Sequence, residues 1–261
     1  MEIQQLKKSE NKLTFVIKGI NAALANTLRR SMISEVPTLA IDEVNVIKNS
    51  SAMFDEVLVH RMGLIPLKTD LKSYTLRENC SCKGKGCPKC QLSLILNIKG
   101  PCTVYASDLK SQDPKIKAIY PKMPITKLLK DQEIELEAIA KLGRGREHTK
   151  FSPGLIFYRN YPIIKISSNC TACKKCVSAC PKGVLEIKDK KIIIKNLLAC
   201  DLCQACTDIC QKKEIKISED PKEFIFTIES WGQLTPKEIY EEALNQFDEK
   251  LEEATKKIKK I

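Results

Sequence analysis

The chain has 261 residues and a formal net charge of +12. Its fractions of hydrophobic residues (43%) and charged residues (29%) are ordinary for a globular protein. No apolar run approaches the roughly 20 residues that span a bilayer, and the opening MEIQQLKKSE lacks the apolar stretch of a signal peptide. We therefore expect no membrane contact and a cytoplasmic location, where thiols at short, regular spacings are more often metal ligands than disulfides.

The net charge raises the question of a nucleic-acid partner. The lysines are mixed with acids, as in EEALNQFDEKLEEATKKIKK, and only 5% of the residues are aromatic, so platforms for base stacking are scarce. A solvated basic surface accounts for the charge, and the alternative is proximity to nucleic acid inside a larger assembly. We expect any contact with nucleic acid to be indirect, through such an assembly.

The first elements along the chain are a strand and a helix. In KLTFVIK at 12–18 every second residue is apolar, which predicts a strand with one buried face. Asn21 is placed to cap the following helix, whose apolar face includes Ala25 and Leu28. Pro37 ends that helix.

Residues 38–150 are rich in short strands. Apolar residues alternate with glutamates in EIELEA at 133–138, as in an antiparallel sheet with one wet face. Two strong β sequences follow, at 155–166 and 222–230, and a cysteine-rich segment lies between them. We expect an α+β fold in which this segment is inserted between two neighbouring strands.

The C-terminus is predicted to be one long helix. Thr235 and Glu238 form a capping box, with Pro236 at the first helical position. Apolar residues then recur at steps of four and three, as on a helix that packs lengthwise on another helix. This seam consists of Tyr240, Leu244, Phe247, Leu251, Ala254 and Ile258. It faces either the chain's own sheet or a partner, and we favour a partner because a core helix so close to a terminus rarely needs such length.

Eight cysteines in two blocks predict two [4Fe–4S] clusters. Each block follows C-x2-C-x2-C-x3-C, and the second begins 30 residues after the first. In this spacing three thiolates on one tight loop bind one cluster, and the fourth cysteine ligates the other. The first cluster is therefore assigned to Cys170, Cys173, Cys176 and Cys210, and the second to Cys180, Cys200, Cys203 and Cys206.

The surroundings of the two blocks agree with this assignment. VLEIKDKKIIIKN between them predicts a short hairpin, and Pro181 follows the first block. Gln211 stands where the second block would ordinarily have a proline, but this departure replaces none of the cysteine ligands. Residues 167–218 resemble the bacterial-type two-cluster ferredoxins, and structural disulfides or paired zinc sites are the alternatives.

A further four cysteines follow C-x-C-x4-C-x2-C, namely Cys80, Cys82, Cys87 and Cys90. Four thiolates suit a closed, structural tetrahedral zinc site, and Gly84, Gly86 and Pro88 allow the tight loop that such a site needs. The first gap is shorter than is common, so two local disulfides or an empty loop are alternatives. Cys102 stands alone, and we expect it to be a small buried hydrophobic residue.

The sequence contains no recognisable active site. His60 and His148 are far apart, and His60 lies on a predicted apolar helix, where a structural role is the simpler interpretation. GRGREH at 143–148 is neither a phosphate-binding loop nor a dinucleotide fingerprint, because no strand–loop–helix of the required form surrounds it. We expect the chain to contribute no catalytic residue of its own.

Four segments outside the cysteines resemble the alpha-like subunits of cellular RNA polymerases. They are NTLRR at 26–30, VPTLAIDEV at 36–44, HRMGLIPL at 60–67 and EHTKFSP at 147–153. The resemblance runs along essentially the whole chain, and the ferredoxin-type insert narrows it to the archaeal members of that family. It implies a non-catalytic scaffold within a DNA-directed RNA polymerase, a nucleotidyltransferase whose catalytic metal is held by the largest subunit.

The resemblance also implies partners. Members of this family pair with a small subunit, called L in archaea, and the pair nucleates assembly of the two large subunits. The helix carrying Arg29 and Arg30 is then the expected contact with the second-largest subunit, and the seam faces subunit L. Some members have lost cluster ligands, but all eight are present here, so two clusters are expected.

The resemblance implies a discontinuous dimerisation domain, at 1–37, 151–166 and 219–261. Residues 38–150 would form an inserted second domain with the zinc-type loop, and residues 167–218 the iron–sulfur domain. The rival function is a ferredoxin-like electron carrier with docking domains. A sequence-specific DNA-binding protein is a third possibility, but no groove-reading element is recognisable.

Overall fold

A computed structural model describes residues 1–259, which form an α+β structure with mainly antiparallel strands. No helix within this range is both long enough and apolar enough to span a membrane. The helices are α1 (Ala22–Ser34), α2 (Asp55–Gly63), α3 (Lys175–Ala179), α4 (Ala205–Asp208) and α5 (Pro236–Ile258). The strands are β1 (Glu2–Lys8), β2 (Lys12–Lys18), β3 (Pro37–Asn49), β4 (Gln91–Lys99), β5 (Cys102–Tyr105), β6 (Lys110–Ser111), β7 (Pro124–Leu128), β8 (Glu133–Arg144), β9 (Gly154–Ile166), β10 (Leu185–Lys188), β11 (Lys191–Ile194) and β12 (Ile215–Ser230).

The described residues form two compact units. The first comprises Met1–Lys8, Thr14–Asn26 and Phe157–Thr227, and it includes both cysteine blocks. The second comprises Ser9–Leu13, Thr27–Ile156 and the described residues from 228 onward. The five-segment division expected from the family resemblance stays a prediction, and residues 260–261 of its last segment lie outside the described residues.

A four-stranded sheet has the order β1-β2-β12-β9. The cysteine-rich segment lies between neighbouring strands β9 and β12, as predicted. The expectation that β2 has a wet face is wrong, because Val16 (1% exposed) is as buried as Phe15 (3%). Phe15 stacks on Phe226 with ring centroids 5.6 Å apart. Successive side chains point to opposite faces of a strand, so both faces of the sheet are covered here.

A second four-stranded sheet has the order β3-β8-β4-β6, and β5 pairs with β7. The alternation predicted in β8 is confirmed, since Ile134, Leu136 and Ala138 are all fully buried. Leu58 and Met62 of α2 belong to the same hydrophobic core. Further along the chain, β10 and β11 form the predicted antiparallel hairpin, paired from Leu185↔Ile194 to Lys188↔Lys191.

The helix α5 begins with the predicted capping box. The Thr235 hydroxyl accepts a hydrogen bond from the Glu238 backbone N–H (3.3 Å), and the Thr235 N–H donates to the Glu238 carboxylate (2.8 Å). The helix buries Ile239, Ala243 and Gln246, a stripe that sequence periodicity did not single out. At 3.6 residues per turn, this stripe and the seam are centred about 90° apart around the helix.

The seam is therefore a separate face of α5 from the stripe that packs on the chain. Tyr240, Leu244 and Phe247 are half-buried at its near end. Towards the C-terminus, Leu251 is 51% exposed and Ile258 is 70% exposed. The described residues of the chain thus leave the outer half of the seam uncovered.

Candidate metal centres

The two cysteine blocks share a backbone conformation that L-residues rarely adopt. Ala172 and Leu202 have φ of 49° and 63°, and Lys174 and Gln204 have φ of 70° and 62°. The members of each pair are 30 residues apart, and each lies between two successive cysteines of its block. A non-glycine residue in the left-handed region costs on the order of 1 kcal/mol and persists only where its surroundings require it. The repeat therefore indicates two loops folded around equivalent centres.

The four cysteines assigned to the first cluster line one cavity of about 150 Å³. Ile166, Ile192 and Ile215 contribute apolar lining to the same cavity. Cys210, from the second block, lies here with three members of the first block, as the crossed ligation pattern requires. Cys176 is buried and Cys173 is exposed, so this centre lies near the surface.

The other four cysteines line a smaller cavity of about 10 Å³, together with Val184 and Leu185. Cys180 of the first block lies here with the three leading cysteines of the second block. Among the described residues, no three of these eight sulfur atoms lie within 4.8 Å of one another. This wider spacing suits ligands around a multi-iron cluster better than ligands of one ion.

The buried thiols need a cation in order to ionise. Burial raises the pKa of Cys176, and the neighbouring charges of Cys170 and Cys173 raise it further. Burial likewise raises the pKa of Cys206 to about 11. Iron binds the thiolate form, so the metal supplies the positive charge that allows four thiolates to share a site. The donor set and its environment therefore fit an iron–sulfur cluster.

The zinc-type quartet is brought together far more tightly. The distance between sulfur atoms is 3.5 Å for Cys80–Cys87, 3.6 Å for Cys82–Cys90 and 3.8 Å for Cys87–Cys90. Tetrahedral thiolates about 2.3 Å from zinc lie about 3.8 Å apart, whereas a disulfide joins two sulfur atoms at about 2.05 Å. The spacing therefore fits a single zinc ion and does not fit two local disulfides.

The electrostatics of this quartet are also those of a cation site. A backbone hydrogen bond from Cys82 lowers the pKa of Cys80 to about 6, while burial raises the pKa of Cys90 to about 12. Four thiolates at these separations repel one another strongly, and a divalent ion removes that penalty. Gly84 and Gly86 both have positive φ, 79° and 89°, which glycine adopts without strain.

The predicted interface residues lie on two helices. On α1, Arg29 is half-buried and Arg30 is exposed. Lys250 of α5 forms an ion pair of 2.7 Å with Glu35, one residue beyond the end of α1. This contact extends the stripe of α5 that packs on the chain and leaves the seam on its neighbouring face.

Three residues singled out in the sequence lie outside these sites. His60 is exposed on α2. Nδ1 of His148 accepts a hydrogen bond from the Lys150 N–H (3.0 Å), which caps a short 3₁₀ turn. The expectation that Cys102 is buried is wrong: it is half-buried, because it begins the short strand β5, which pairs with β7 alone.

Sequence reasoning missed Arg159 on β9. Its guanidinium donates hydrogen bonds to the carbonyl oxygens of Leu198 and Cys200, next to and within the second cysteine block. Its setting in LIFYRNYPIIKI indicates only a strand, and no spacing rule connects it to a segment about 40 positions later.

Two family models match the chain. The RNA polymerase Rpb3/RpoA insert domain matches residues 41–157, which include the zinc-type quartet. The 4Fe-4S dicluster domain matches residues 169–215, which include both cysteine blocks.

Full-length relatives match as well. DNA-directed RNA polymerase subunit Rpo3 of Archaeoglobus fulgidus is 43% identical over 261 residues, covering 100% of this chain and 98% of the relative. The protein of the same name from Methanosarcina acetivorans is 41% identical over 257 residues, covering 97% and 96% of the two chains. The one from Methanothermobacter thermautotrophicus is 42% identical over 257 residues, covering 97% of each.

Proposed function

Because this chain belongs to the family of the archaeal DNA-directed RNA polymerase subunit Rpo3, we propose that it is the non-catalytic assembly scaffold of that polymerase. In this role it pairs with the small subunit L, and the pair then docks the two large catalytic subunits. Nucleic acid is reached only through the assembled enzyme.

The division of α5 into two faces carries the proposal. The stripe of Ile239, Ala243 and Gln246 is buried by the chain itself, whereas Leu251 and Ile258 of the seam are largely exposed. An apolar helix face left open by its own chain is typical of a protein interaction site. A second helix laid along the seam would complete the packing, and subunit L is the partner that the family implies.

We assign the contact with the second-largest subunit to Arg29 and Arg30 of α1. Arg30 is exposed and can form forked hydrogen bonds to a carboxylate of another subunit. The same helix follows β2 directly in the chain.

We further propose that the chain holds two [4Fe–4S] clusters in the ligand sets predicted from the sequence. The grouping of the eight cysteines around two cavities supports these sets. Three of the eight buried members of the surrounding hydrophobic cluster are themselves cysteines, Cys176, Cys200 and Cys206. So small a core needs metal bonds to fold, and we assign the clusters a structural role.

The zinc-type quartet is proposed to bind one structural zinc ion. All four of its sulfur atoms lie within 4.8 Å of one another, which leaves no open coordination position for chemistry. The ion would then hold the loop between α2 and β4 in one shape, without a catalytic role.

The alternative function, an electron carrier, is favoured by one observation. Cys173 and Cys203 are both exposed, so each proposed cluster lies close to the surface, where electrons can be exchanged. The relatives match 97–100% of this chain and carry the name of a polymerase subunit, which favours the scaffold.

Co-purification separates the two functions. The chain is tagged in cells that make it and is recovered under mild, anaerobic conditions. The scaffold predicts the two large polymerase subunits in stoichiometric amount, and an oxidoreductase in their place would favour the carrier. In the assembled polymerase, an elongation rate that follows the redox state of the clusters would also favour the carrier.

A further inference from the structure

Arg159 joins strand β9 to the second cysteine block. One terminal nitrogen of its guanidinium donates to the carbonyl oxygen of Cys200 and the other to that of Leu198. Both acceptors belong to a 3₁₀ turn over Leu197–Ala199 and the residue that ends it. A planar fork holds two acceptors in one fixed arrangement, which a single ammonium group does not do.

The equivalent position in the first block is held differently. In the part of the chain that the structure describes, the segment before Cys170 is held by neutral contacts. The Ser167 N–H donates to the Glu214 carbonyl oxygen (2.8 Å), and the Asn169 N–H donates to the Ser167 hydroxyl (3.2 Å). The loops otherwise repeat one backbone conformation, so the guanidinium distinguishes the second block from the first.

We propose that Arg159 is the positioning residue of the second [4Fe–4S] centre. It fixes the turn so that Cys200 lies in the cavity shared with Cys180, Cys203 and Cys206. Its positive charge, beside the backbone of a ligand, also stabilises that cluster after one-electron reduction. The inference rests on the proposed presence of a cluster in this quartet.

The charges around the two cavities explain why the charge of Arg159 should affect the second cluster and not the first. Asp201 lines the second cavity, and its carboxylate opposes the addition of an electron. Arg159 is half-buried and fixed by two hydrogen bonds, so water screens its charge less than that of an exposed lysine. Lys175 and Lys212 line the first cavity together with Glu214, so the two cations of that centre outnumber its one carboxylate without a contribution from Arg159. Net charge and hydrogen bonding are among the factors that set the potential of an iron–sulfur cluster.

The test uses the full chain, co-expressed with subunit L and purified without oxygen. Arg159→Gln removes the charge and the fork, whereas Arg159→Lys keeps the charge and loses the fork. Lys165→Gln is the matched control, because Lys165 is an exposed cation on the same strand. Iron and sulfide are quantified, and the clusters are reduced stepwise with dithionite while EPR spectra are recorded. Each reduction step adds one electron to one cluster, and no bond is broken.

The inference predicts that Arg159→Gln changes one centre only. If the second cluster is retained, one of the two reduction steps shifts to lower potential. If that cluster is lost, about half of the iron is lost and the potential of the remaining step is unchanged. Arg159→Lys is expected to keep both potentials but to lose the iron of one cluster faster to a chelator. Lys165→Gln behaves as the unaltered protein.

The inference would be overturned if Arg159→Gln kept its full iron content and both reduction potentials were unchanged. It would also be overturned if both potentials shifted by the same amount. A lower unfolding temperature with full iron and both potentials unmoved would indicate a merely structural role, and it would overturn the inference as well. Pairing with subunit L is measured on the same samples. Failure of the unaltered chain to pair with subunit L would contradict the proposed function but would not bear on the role of Arg159.

Discussion

Ser31 of α1 donates a buried hydrogen bond of 3.0 Å from its hydroxyl to the backbone carbonyl oxygen of Ala243 in α5. The bond fixes which face of α5 is turned inward, because Ala243 lies at the centre of the buried stripe. Once that face is fixed, the seam is presented to the outside. The proposed contact with subunit L thus depends on a contact within this chain.

Charges placed on the seam should abolish pairing. Phe247→Asp combined with Leu251→Asp would bury two carboxylates against subunit L, and an uncompensated buried charge costs several kcal/mol. Co-expression followed by size-exclusion chromatography measures the complex. Asn245→Asp is the control, because Asn245 is exposed on the opposite side of the same helix. Equal loss of pairing in both proteins would show that the seam is not the interface.

The zinc-type loop should release one metal without affecting pairing. Cys87→Ser combined with Cys90→Ser removes two of the four thiolates that share the site. We expect the loss of one zinc per chain by elemental analysis and faster hydrogen exchange in residues 77–91. The complex with subunit L should persist because the seam lies on α5. Cys102→Ser, which removes a cysteine outside the quartet, should release no zinc.

Removal of Cys170, Cys173 and Cys176 should unfold the iron–sulfur segment and spare the rest. Its hydrophobic cluster is small and includes the ligands themselves, so loss of metal removes much of its stabilisation. The strands β9 and β12 are neighbours in the sheet and should stay paired. We expect the complex with subunit L to survive and docking of the large subunits to weaken, as measured by reconstitution. As a control, Lys191→Ala in the hairpin should change neither the complex with subunit L nor the docking of the large subunits.

Asp42 should stabilise the second unit in a pH-dependent way. Burial raises the pKa of this carboxyl, but Lys141 and Lys150, each 2.6 Å away, outweigh burial and hold the pKa below its ordinary value of 3.8. A lowered pKa contributes stability above the unfolded-state value, and this stability is lost as pH falls through the folded-state value.

Asp42→Asn should therefore cost about 1–2 kcal/mol at pH 7, and the cost should shrink below about pH 4. Urea unfolding at several pH values measures the difference, and any loss of metal in acid is common to both proteins. Glu43→Gln is the control, because Glu43 is 54% exposed and its pair with Arg77 is worth little. A cost for Asp42→Asn that stays constant down to about pH 3 would exclude the ion pairs as its cause.

Local sequence signals predicted those parts of the molecule that depend on neighbouring residues. The cysteine spacings, the alternation in β8 and the capping box at Thr235 are of this kind, since each is set within about ten positions. They were sufficient to indicate both kinds of metal centre and the start of α5.

Features that depend on distant contacts were not predictable in the same way. The strand β1 was missed because EIQQLKK is polar and mostly exposed, and only its pairing with β2 makes it a strand. The inward stripe of α5 includes the polar Gln246, whose amide oxygen accepts a hydrogen bond of 3.2 Å from Arg144. That bond spans about 100 positions, and nothing in the periodicity of α5 indicates it.

The central claim is that this chain is one half of a scaffold pair, and native mass spectrometry of the chain co-expressed with subunit L tests it most directly. The account predicts a single species with one copy of each chain, and a poorly soluble chain when subunit L is omitted, because the open seam exposes apolar surface. A soluble, monodisperse monomer that leaves subunit L unbound would contradict it.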